Sequence, residues 1–263
     1  MSSKILEVKD LSIAFGGLKA VDNLSFDINK GEIFGLIGPN GAGKTTVFNC
    51  ITQFYNANSG DVYFYNGEDG SQKIDLNALR VDDVINTGIV RTFQNVELVK
   101  ELSIIDNVLV GSHKEFKSNL FEHVFQIGKV RKEEAVLRER AMKILNTFGI
   151  LHLKDMPAGS QAYGIQKKVE FARALMCHPK LVILDEPAAG LNDVETEEFA
   201  HLIKDIRKQY DCTILLIEHD MRLVMGICDR ICAISFGKKL AIGTPADIQN
   251  NHEVQVAYLG ADD

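Results

Sequence analysis

The sequence predicts a single α/β domain that is built on a mainly parallel sheet and interrupted by a helical insertion. In the last third of the chain, strand-like and helix-like segments alternate, which is typical of parallel strands joined by crossover helices. Residues 95–176 instead carry helical patterning. We therefore assign residues 1–94 and 177–263 to an α/β core and residues 95–176 to an inserted helical subdomain.

The first third of the chain is rich in strand signals. Short runs of β-branched and aromatic residues, bounded by Gly, Asn or Asp, predict strands at Ile5–Val8, Leu24–Ile28, Ile33–Ile37, Val62–Tyr65 and Ile89–Phe93. A segment of helical composition, Thr45–Phe54, follows the third of these strands. The chain therefore passes from strand through a Gly-rich loop into a helix.

The insertion and the last third complete the pattern. An amphipathic helix is predicted from apolar residues at helical spacing, namely Leu137, Ala141, Ile144, Leu145 and Phe148. Further strands are predicted at Leu181–Leu184, Thr213–Ile217 and Ile231–Ser235. Between the first two of these, a helix is expected to bury Phe199, Leu202, Ile203 and Ile206.

The composition is that of an ordinary globular protein. Of 263 residues, 46% are hydrophobic and 25% are charged, which excludes disordered and collagen-like classes. The net charge of −7 argues against a generic nucleic-acid binder, because such proteins normally carry a basic excess. The five scattered cysteines, of which Cys228 and Cys232 are closest, favour reduced core residues over a metal site. No apolar run approaches the roughly 18 to 20 residues of a membrane span, and no signal peptide is evident, so we expect a cytoplasmic chain.

A phosphate-binding loop is the most specific motif in the chain. Residues 38–45 match G-x-x-x-x-G-K-[ST] at every position. The backbone N–H groups of such a loop turn toward an anion at a helix N-terminus. Lys44 is predicted to reach the β- and γ-phosphates of a nucleoside triphosphate, and the Thr45 hydroxyl to bind Mg²⁺. The predicted nucleotide-binding residues are Gly38, Pro39, Asn40, Gly41, Ala42, Gly43, Lys44, Thr45 and Thr46.

Two carboxylates end the predicted strand Leu181–Leu184. The carboxyl ends of parallel strands form the crevice where ligands bind in open α/β sheets. We expect Asp185 to lie on the Mg²⁺ side and Glu186 to act as the general base that polarises the attacking water. An acidic pair at a solvent-exposed strand end is the alternative, which the phosphate loop makes less favourable.

Three further residues are candidates for the same site. His219 follows the strand Thr213–Ile217 and is expected to hydrogen-bond the γ-phosphate, although a lone histidine at a strand end is more often structural. Gln94 is expected to contact Mg²⁺ or water and to couple the site to the insertion; its alternative is a surface glutamine. Phe15 is expected either to stack on the nucleotide base or to be an ordinary core residue.

In this order along the chain, the phosphate loop, Gln94, the Asp185-Glu186 pair and His219 resemble the motifs of the ATP-binding-cassette (ABC) ATPases. The resemblance extends over the whole chain and implies a RecA-like core with an antiparallel β subdomain and an inserted helical subdomain. It also implies ATP as the nucleotide, Mg²⁺ as the cofactor and a head-to-tail dimer that encloses two ATP molecules. Each site in such a dimer combines the phosphate loop of one subunit with a signature loop of the other.

The signature loop departs from the family pattern Leu-Ser-Gly-Gly-Gln. The matching stretch here is Gln161-Ala162-Tyr163-Gly164-Ile165, which retains only Gly164 and is followed by Gln166. The usual serine hydroxyl donates a hydrogen bond to the partner's γ-phosphate, a contact worth about 1.5–3 kcal/mol that Ala162 lacks. Two interpretations stay open: the partner's site is impaired, or the loop acts through backbone N–H groups and a helix that begins near Ile165. By the resemblance, Ala162, Tyr163, Gly164 and Gln166 face the partner's ATP.

Several stretches are similar to one subgroup, the larger ATPase subunit of bacterial high-affinity branched-chain amino acid importers. They include residues 15–21, 91–94, 185–192 and the ending Ala257-Tyr258-Leu259-Gly260. This similarity implies two transmembrane permease subunits, a second ATPase subunit, an extracytoplasmic binding protein and a place at the cytoplasmic face of the inner membrane. A heterodimer is expected, with a homodimer as the alternative, and no nucleic acid partner.

Other functions stay open as alternatives. ATPases of urea or short-chain amide importers look similar, and a lipopolysaccharide-type exporter ATPase is a more distant candidate. A soluble ABC protein acting on ribosomes or DNA usually has two cassettes or a long coiled-coil insertion, which 263 residues do not accommodate. An apolar stripe in the insertion favours core packing, with permease docking as the alternative; its members are Phe116, Leu120, Phe121, Val124 and Phe125.

Overall fold

The computed structural model describes residues 3–66, 72–92, 96–112 and 128–259. The chain divides into two compact units. The first comprises residues 1–91, 180–189 and 193–263, and the second comprises residues 92–179 and 190–192. The second unit thus contains the predicted helical segment together with residues 92–94, 177–179 and 190–192, which were predicted to belong to the core.

The first unit contains all ten strands of the described ranges. In chain order they are β1 (Lys4–Phe15), β2 (Leu18–Asn29), β3 (Ile33–Ile37), β4 (Ser59–Asn66), β5 (Gln72–Asp75), β6 (Ile89–Arg91), β7 (Leu181–Asp185), β8 (Thr213–Ile217), β9 (Arg230–Ser235) and β10 (Lys238–Gly243). Every strand predicted from sequence is therefore present. The long β1–β2 hairpin extends well beyond its predicted segments, and β5 and β10 were not predicted.

The helices are distributed over both units. Those of the first unit are α1 (Lys44–Ile51), α2 (Val81–Val84), α6 (Asp193–Gln209), α7 (Met221–Ile227), α8 (Pro245–Gln249) and α9 (His252–Leu259), and those of the second unit are α3 (Ile104–Val110), α4 (Gly128–Thr147) and α5 (Tyr163–Leu175). Within the described residues, no helix combines the length and apolar composition that crossing a membrane requires.

Two sheets make up the first unit. The antiparallel sheet has the order β2-β1-β4-β5, and the six-stranded sheet has the order β10-β9-β3-β8-β7-β6. Strands β9, β3, β8, β7 and β6 run parallel, whereas β10 joins the edge antiparallel to β9. The register pairs Ile217 with both Leu36 and Asp185, so β3, β8 and β7 end at the same level. Loops that follow these strands therefore meet at one edge of the sheet.

One hydrophobic core joins the two sheets of the first unit to α1. It includes inward-facing residues of the hairpin, such as Leu6 and Leu24, and alternate residues of the parallel strands, such as Phe34, Ile183 and Leu215. The parallel strands β3, β7 and β8 are buried at every position, as expected for strands covered on both faces. Full burial on both faces explains why their sequences read as continuous apolar runs.

The second unit has its own core around α4 and α5. The stripe Leu137, Ala141, Ile144, Leu145 and Phe148 is buried as predicted. Phe148 packs edge-on against Phe171 with ring centroids 5.4 Å apart. Asn107 is fully buried, and its amide both donates to the Val99 carbonyl (3.0 Å) and accepts from the Val99 N–H (2.9 Å). This side chain therefore fixes the segment before α3 without leaving a buried polar group unpaired.

Four of the five cysteines are buried in the first unit, and Cys177, in the second unit, is partly buried. Cys50, Cys212, Cys228 and Cys232 are buried and reduced. Burial raises the pKa of Cys50 and of Cys212 to about 11 and that of Cys232 to about 12. The interpretation of Cys228 and Cys232 as core residues is confirmed by their burial.

Candidate active site

The phosphate loop lies between β3 and α1, and its shape depends on two glycines. A Cβ atom at Gly38 would lie 2.3 Å from the carbonyl oxygen of Ile234. Gly43 has φ +102°, and a Cβ atom there would lie 2.4 Å from the carbonyl oxygen of Ala20. Since both contacts are far inside van der Waals distance, the loop passes this closely to its neighbours only because these positions lack side chains.

The loop presents an open side and a packed side. Ala42 and Lys44 are buried, whereas Asn40, Gly41 and Thr45 are exposed, and Pro39, Gly43 and Thr46 are intermediate. Helix α1 begins at Lys44, so the first N–H groups of the helix lack intrahelical acceptors. This arrangement is a ready-made anion site, because unpaired N–H groups and the helix dipole both favour negative charge.

Lys44 is turned back onto the loop. Its Nζ atom donates to the carbonyl oxygens of Gly38 (2.6 Å) and Pro39 (3.1 Å). Burial lowers the pKa of Lys44, while the carboxylates of Glu186 and Asp185 act in the opposite direction. The ammonium group is thus held inside the loop, close to two acidic side chains, where an anion would improve its electrostatic environment.

Asp185 ends β7 in a buried polar network that the sequence analysis did not foresee. Its Oδ2 atom accepts from Arg91 Nη2 at 2.7 Å, and Arg91 Nη1 donates to Asn49 Oδ1 at 2.6 Å. Burial raises the pKa of Asp185, and the guanidinium of Arg91 opposes that shift. Arg91 ends β6 and Asn49 lies on α1, so the network joins three elements of the first unit. The sequence does contain a signal for this pair. Arg91 ends one apolar strand and Asp185 ends another, and the two strands are neighbours in the sheet.

Glu186 follows β7 in a strained conformation. Its φ of +48° lies in the left-handed region, which is costly for a residue with a Cβ atom. The turn is fixed by two backbone hydrogen bonds, from Glu186 N–H to the Ile217 carbonyl (2.9 Å) and from Ala189 N–H to the Glu186 carbonyl (3.1 Å). Backbone strain of this kind concentrates at functional sites, where the surrounding structure holds it in place.

His219 lies beside Glu186 at the end of the neighbouring strand β8. Its Nδ1 atom is 3.9 Å from Glu186 Oε1 and 3.6 Å from Glu218 Oε2, and its side chain is 60% exposed. The imidazole is therefore free to face a ligand while its backbone is anchored. Glu218, the residue between β8 and His219, is completely buried. Sequence analysis gave Glu218 no role, although an acid that directly follows four buried apolar residues was a visible signal.

Phe15 is not a core residue, so the second of its two sequence-based interpretations is wrong. Its side chain is 47% exposed at the end of β1, and its ring contacts that of Tyr55 edge-on, with centroids 5.3 Å apart. The hairpin ends here because Gly16, with φ +58°, makes the turn into β2. An exposed aromatic ring with one flank supported is suited to stacking on a planar group.

The signature-like loop belongs to the second unit. Ala162 caps α5 without a side-chain hydrogen bond, and the helix begins at Tyr163, two residues before the predicted start. The Gln166 side chain donates to the Gln161 carbonyl at 2.8 Å, and Gly164 lies in the first turn. The loop therefore offers backbone N–H groups of a helix N-terminus in place of a serine hydroxyl.

Several predicted features fall outside the described residues. These are Gln94 and the apolar stripe Phe116, Leu120, Phe121, Val124 and Phe125. Within the described ranges, no group of three or more His, Cys, Asp or Glu side chains is arranged to hold a metal ion. The oxygen donors at the loop are the exposed Thr45 hydroxyl and the Asp185 carboxylate. Oxygen donors of this type, few in number and completed by phosphate and water, are what Mg²⁺ prefers.

Comparison with known proteins adds family-level findings. A family profile described as "ABC transporter" matches residues 21–189, and a second, "Branched-chain amino acid ATP-binding cassette transporter", matches residues 238–263. The chain is 44% identical over 260 residues to the high-affinity branched-chain amino acid transport ATP-binding protein LivG of Salmonella typhimurium, covering 99% of each chain. It is 42% identical to the corresponding protein BraF of Pseudomonas aeruginosa, again over 99% of both.

Solved structures agree with these relatives. The crystal structure of a nucleotide-free ATP-binding cassette from an ABC transporter is 32% identical, with a TM-score of 0.81 over 98% of this chain and 99% of that chain. The ADP conformation of an ATP-binding cassette of an ABC transporter is 31% identical, with a TM-score of 0.83 over 98% and 100%. The similarity therefore spans both units.

Proposed function

Because the chain belongs to the ABC transporter family as an ATP-binding cassette, we propose that it binds and hydrolyses ATP to energise a membrane importer of branched-chain amino acids. One observation carries the proposal for the site: a single edge of the six-stranded sheet brings Lys44, Asp185, Glu186 and His219 together. The cargo rests on the relatives, since LivG and BraF are branched-chain amino acid transport proteins by name. A cassette that never touches the cargo cannot reveal it through its own site.

In this proposal the phosphate loop binds the triphosphate. The N–H groups of the loop and of the start of α1 donate to phosphate oxygens, and Lys44 exchanges its contacts with Gly38 and Pro39 for contacts with the β- and γ-phosphates. Thr45 and Asp185, with Gln94, would hold Mg²⁺, which supplies positive charge against the phosphates. Phe15, supported by Tyr55, stacks on the base.

Hydrolysis is assigned to Glu186 with His219 as its neighbour. Glu186 takes a proton from the attacking water, so that the water oxygen attacks phosphorus as a better nucleophile. His219 hydrogen-bonds the γ-phosphate from the adjacent strand end, 3.9 Å from the Glu186 carboxylate. The strained φ of Glu186 supports this role, because backbone strain of this kind concentrates at functional sites.

The proposal includes a two-cassette assembly. A second ABC ATPase subunit would place its phosphate loop opposite the signature-like residues Ala162, Tyr163, Gly164 and Gln166 of this chain. With no serine at position 162, contact to the partner's ATP would come from backbone N–H groups at the start of α5. Two permease subunits and an extracytoplasmic binding protein would complete an importer at the inner membrane, with this chain on its cytoplasmic face.

The test is ATPase turnover of this chain reconstituted in membranes with its permeases and second ATPase. We expect turnover to rise when the binding protein is loaded with leucine and to stay at the basal level with the unloaded binding protein. Stimulation by urea or a short-chain amide, and not by leucine, would keep the catalytic assignments and reject the cargo. If no loaded binding protein changes the turnover, the proposal that this chain energises an importer is rejected.

A further inference from the structure

Glu218 is a buried carboxylate that joins two loops of the candidate site. Its side chain is 0% exposed although it lies directly beside the largely exposed His219. Oε1 accepts from the Ala188 N–H at 2.8 Å, and Oε2 accepts from the N–H groups of His219 (2.9 Å) and Asp220 (3.2 Å). One side chain thus connects the loop after β7 to the turn after β8.

The two connected segments carry the two residues assigned to hydrolysis. Ala188 lies two positions after Glu186, whose φ of +48° must be maintained by its surroundings. The backbone of Glu186 is bonded to Ile217 of β8, and the Glu218 carboxylate holds the same loop a second time at Ala188. If the hydrogen bond at Ala188 is lost, fewer contacts hold Glu186 in its left-handed conformation, and the turn can relax more easily.

We propose that Glu218 is a positioning residue for ATP hydrolysis, because its carboxylate fixes the spacing between the Glu186 loop and the His219 turn. It does not touch the nucleotide. The inference rests on the proposed function in one respect only, namely that Glu186 and His219 act on the same phosphate. The buried link itself is independent of that assignment.

The chemistry of the link requires two acceptor oxygens. A carboxylate accepts at both ends, so it satisfies N–H groups on both sides at once. In Glu218→Gln, the amide oxygen is expected to stay with the pair of N–H groups from His219 and Asp220. The amide NH₂ would then face the Ala188 N–H, donor against donor. The substitution therefore cuts the link to Ala188 and leaves the His219 turn bonded.

The matched control is Glu32→Gln. Glu32 directly precedes β3, at the amino edge of the sheet, whereas Glu218 follows β8 at the carboxyl edge. Glu32 is also a buried carboxylate that accepts a backbone N–H, from Asn29 at 2.6 Å, and it has no part in the proposed chemistry. Wild type, Glu218→Gln and Glu32→Gln, each assembled with the second ATPase subunit that the proposed function requires, are compared in three measurements. These are binding of a fluorescent ATP analogue, phosphate release per bound nucleotide, and amide hydrogen exchange at Ala188.

For Glu218→Gln we expect kcat per binding site to fall about tenfold, as lost hydrogen bonds to a charged group imply, with KM for ATP unchanged within about twofold. Exchange at Ala188 should become faster while exchange at His219 stays protected. Glu32→Gln should leave kcat and Ala188 exchange at wild-type values. In a His219→Ala background, Glu218→Gln should lower kcat by less than it does alone, because both changes disturb the same arrangement.

The positioning role would be overturned if Glu218→Gln kept wild-type kcat per binding site, or if Ala188 exchanged no faster than in wild type. Equal losses of kcat in the two variants would also overturn it, since that result describes general destabilisation. If Glu218→Gln does not fold, Glu218→Asp shortens the link by one methylene and is expected to give the same division between kcat and KM. Failure of the proposed function appears separately, as a wild-type chain that releases no phosphate.

Discussion

The two ends of the six-stranded sheet hold charged side chains that are satisfied in different ways. At the amino end, Glu32 accepts from Asn29 N–H and lies 3.2 Å from Arg230, and Asp229 pairs with Arg207 at 2.6 Å. These charges are satisfied by one another and by neighbouring backbone. At the carboxyl end, Lys44 is bonded to loop carbonyls, and Glu186 is strained at φ +48°.

The difference shows at which end of the sheet charged groups are available to a ligand. Charges at the amino end are paired in the folded chain and require no ligand. At the carboxyl end Asp185 is paired with Arg91 at 2.7 Å, whereas Lys44 is held by loop carbonyls, and the anion that would best satisfy Lys44 is the proposed substrate. The loops that follow the parallel strands meet at the carboxyl edge of the sheet. This edge can therefore bring side chains that follow β3, β7 and β8 together around one ligand.

The largest expected effect comes from removing the proposed base. Glu186→Gln should lower turnover by about 10²–10⁴-fold, the usual contribution of a general base, and should leave ATP affinity nearly unchanged because Lys44 and the loop are intact. Turnover and nucleotide binding are measured on the same preparation. Glu32→Gln, a glutamate of the amino end, is the control. Unchanged turnover in Glu186→Gln would remove the distinction between the two ends.

A second comparison removes one cation from each end. Arg91→Met leaves the Asp185 carboxylate, which is 4% exposed, without its partner, and should cost about 3–5 kcal/mol of unfolding free energy. Arg230 is itself 27% exposed and its buried partner Glu32 also accepts from the Asn29 N–H at 2.6 Å, so Arg230→Met should cost less than Arg91→Met. Urea unfolding of both variants checks this. Similar losses in the two variants would show that the carboxyl end is no more tightly coupled than the amino end.

A third prediction concerns the aromatic ring near the carboxyl end. The hairpin that ends in Phe15 continues through β2 to Ala20, whose carbonyl oxygen limits the space at Gly43. Phe15→Ala should weaken ATP binding by about 1–3 kcal/mol, the value of one base–aromatic stack. Phe54 is 54% exposed and serves as the control, since Phe54→Ala should leave affinity unchanged. Titration with a fluorescent ATP analogue distinguishes them, and equal effects would reject base stacking on Phe15.

The smallest expected effect is a pH dependence at the amino end. Burial raises the pKa of Glu32 above its ordinary 4.5, although the Asn29 N–H and Arg230 oppose the shift. The folded chain therefore binds this proton before the unfolded chain does, and stability attributable to Glu32 increases as pH falls through the raised pKa toward 4.5. The urea midpoint of wild type should therefore rise relative to that of Glu32→Gln as the pH falls toward 4.5. A difference that stays constant with pH would contradict this.

Much of the fold was predictable because its strands are short, apolar and bounded by turn residues. The boundaries of β8 were predicted correctly, since Thr213–Ile217 is buried throughout and followed at once by charged residues. The strand expected at Ile89–Phe93 ends at Arg91, because the arginine turns to Asp185 and not into an apolar interior. The helix expected at Thr45–Phe54 is shorter, from Lys44 to Ile51, with Gln53 at φ +60° just beyond it.

The site was predictable in its motifs and less so in its supporting contacts. Glycines 38 and 43, Lys44 and Asp185 stand in a linear pattern with a direct chemical meaning. The Arg91–Asp185 pair spans 94 positions and the Glu218–Ala188 contact spans 30, so neither is visible as a local pattern. The interpretation of Phe15 as a core residue failed because aromatic character alone does not distinguish a hairpin end from an interior.

The most direct test is phosphate release by the wild-type chain and by its Lys44→Ala variant, each assembled with the second ATPase subunit, with that subunit alone as the background and bound nucleotide counted in each sample. We predict ATP-dependent phosphate release in wild type, and in the variant a loss of both nucleotide binding and release to background. We expect this because the substitution removes the ammonium group, which now donates to the carbonyl oxygens of Gly38 and Pro39. Equal phosphate release by the two proteins, or nucleotide bound by wild type without any release, would contradict the claim that this edge of the sheet hydrolyses ATP.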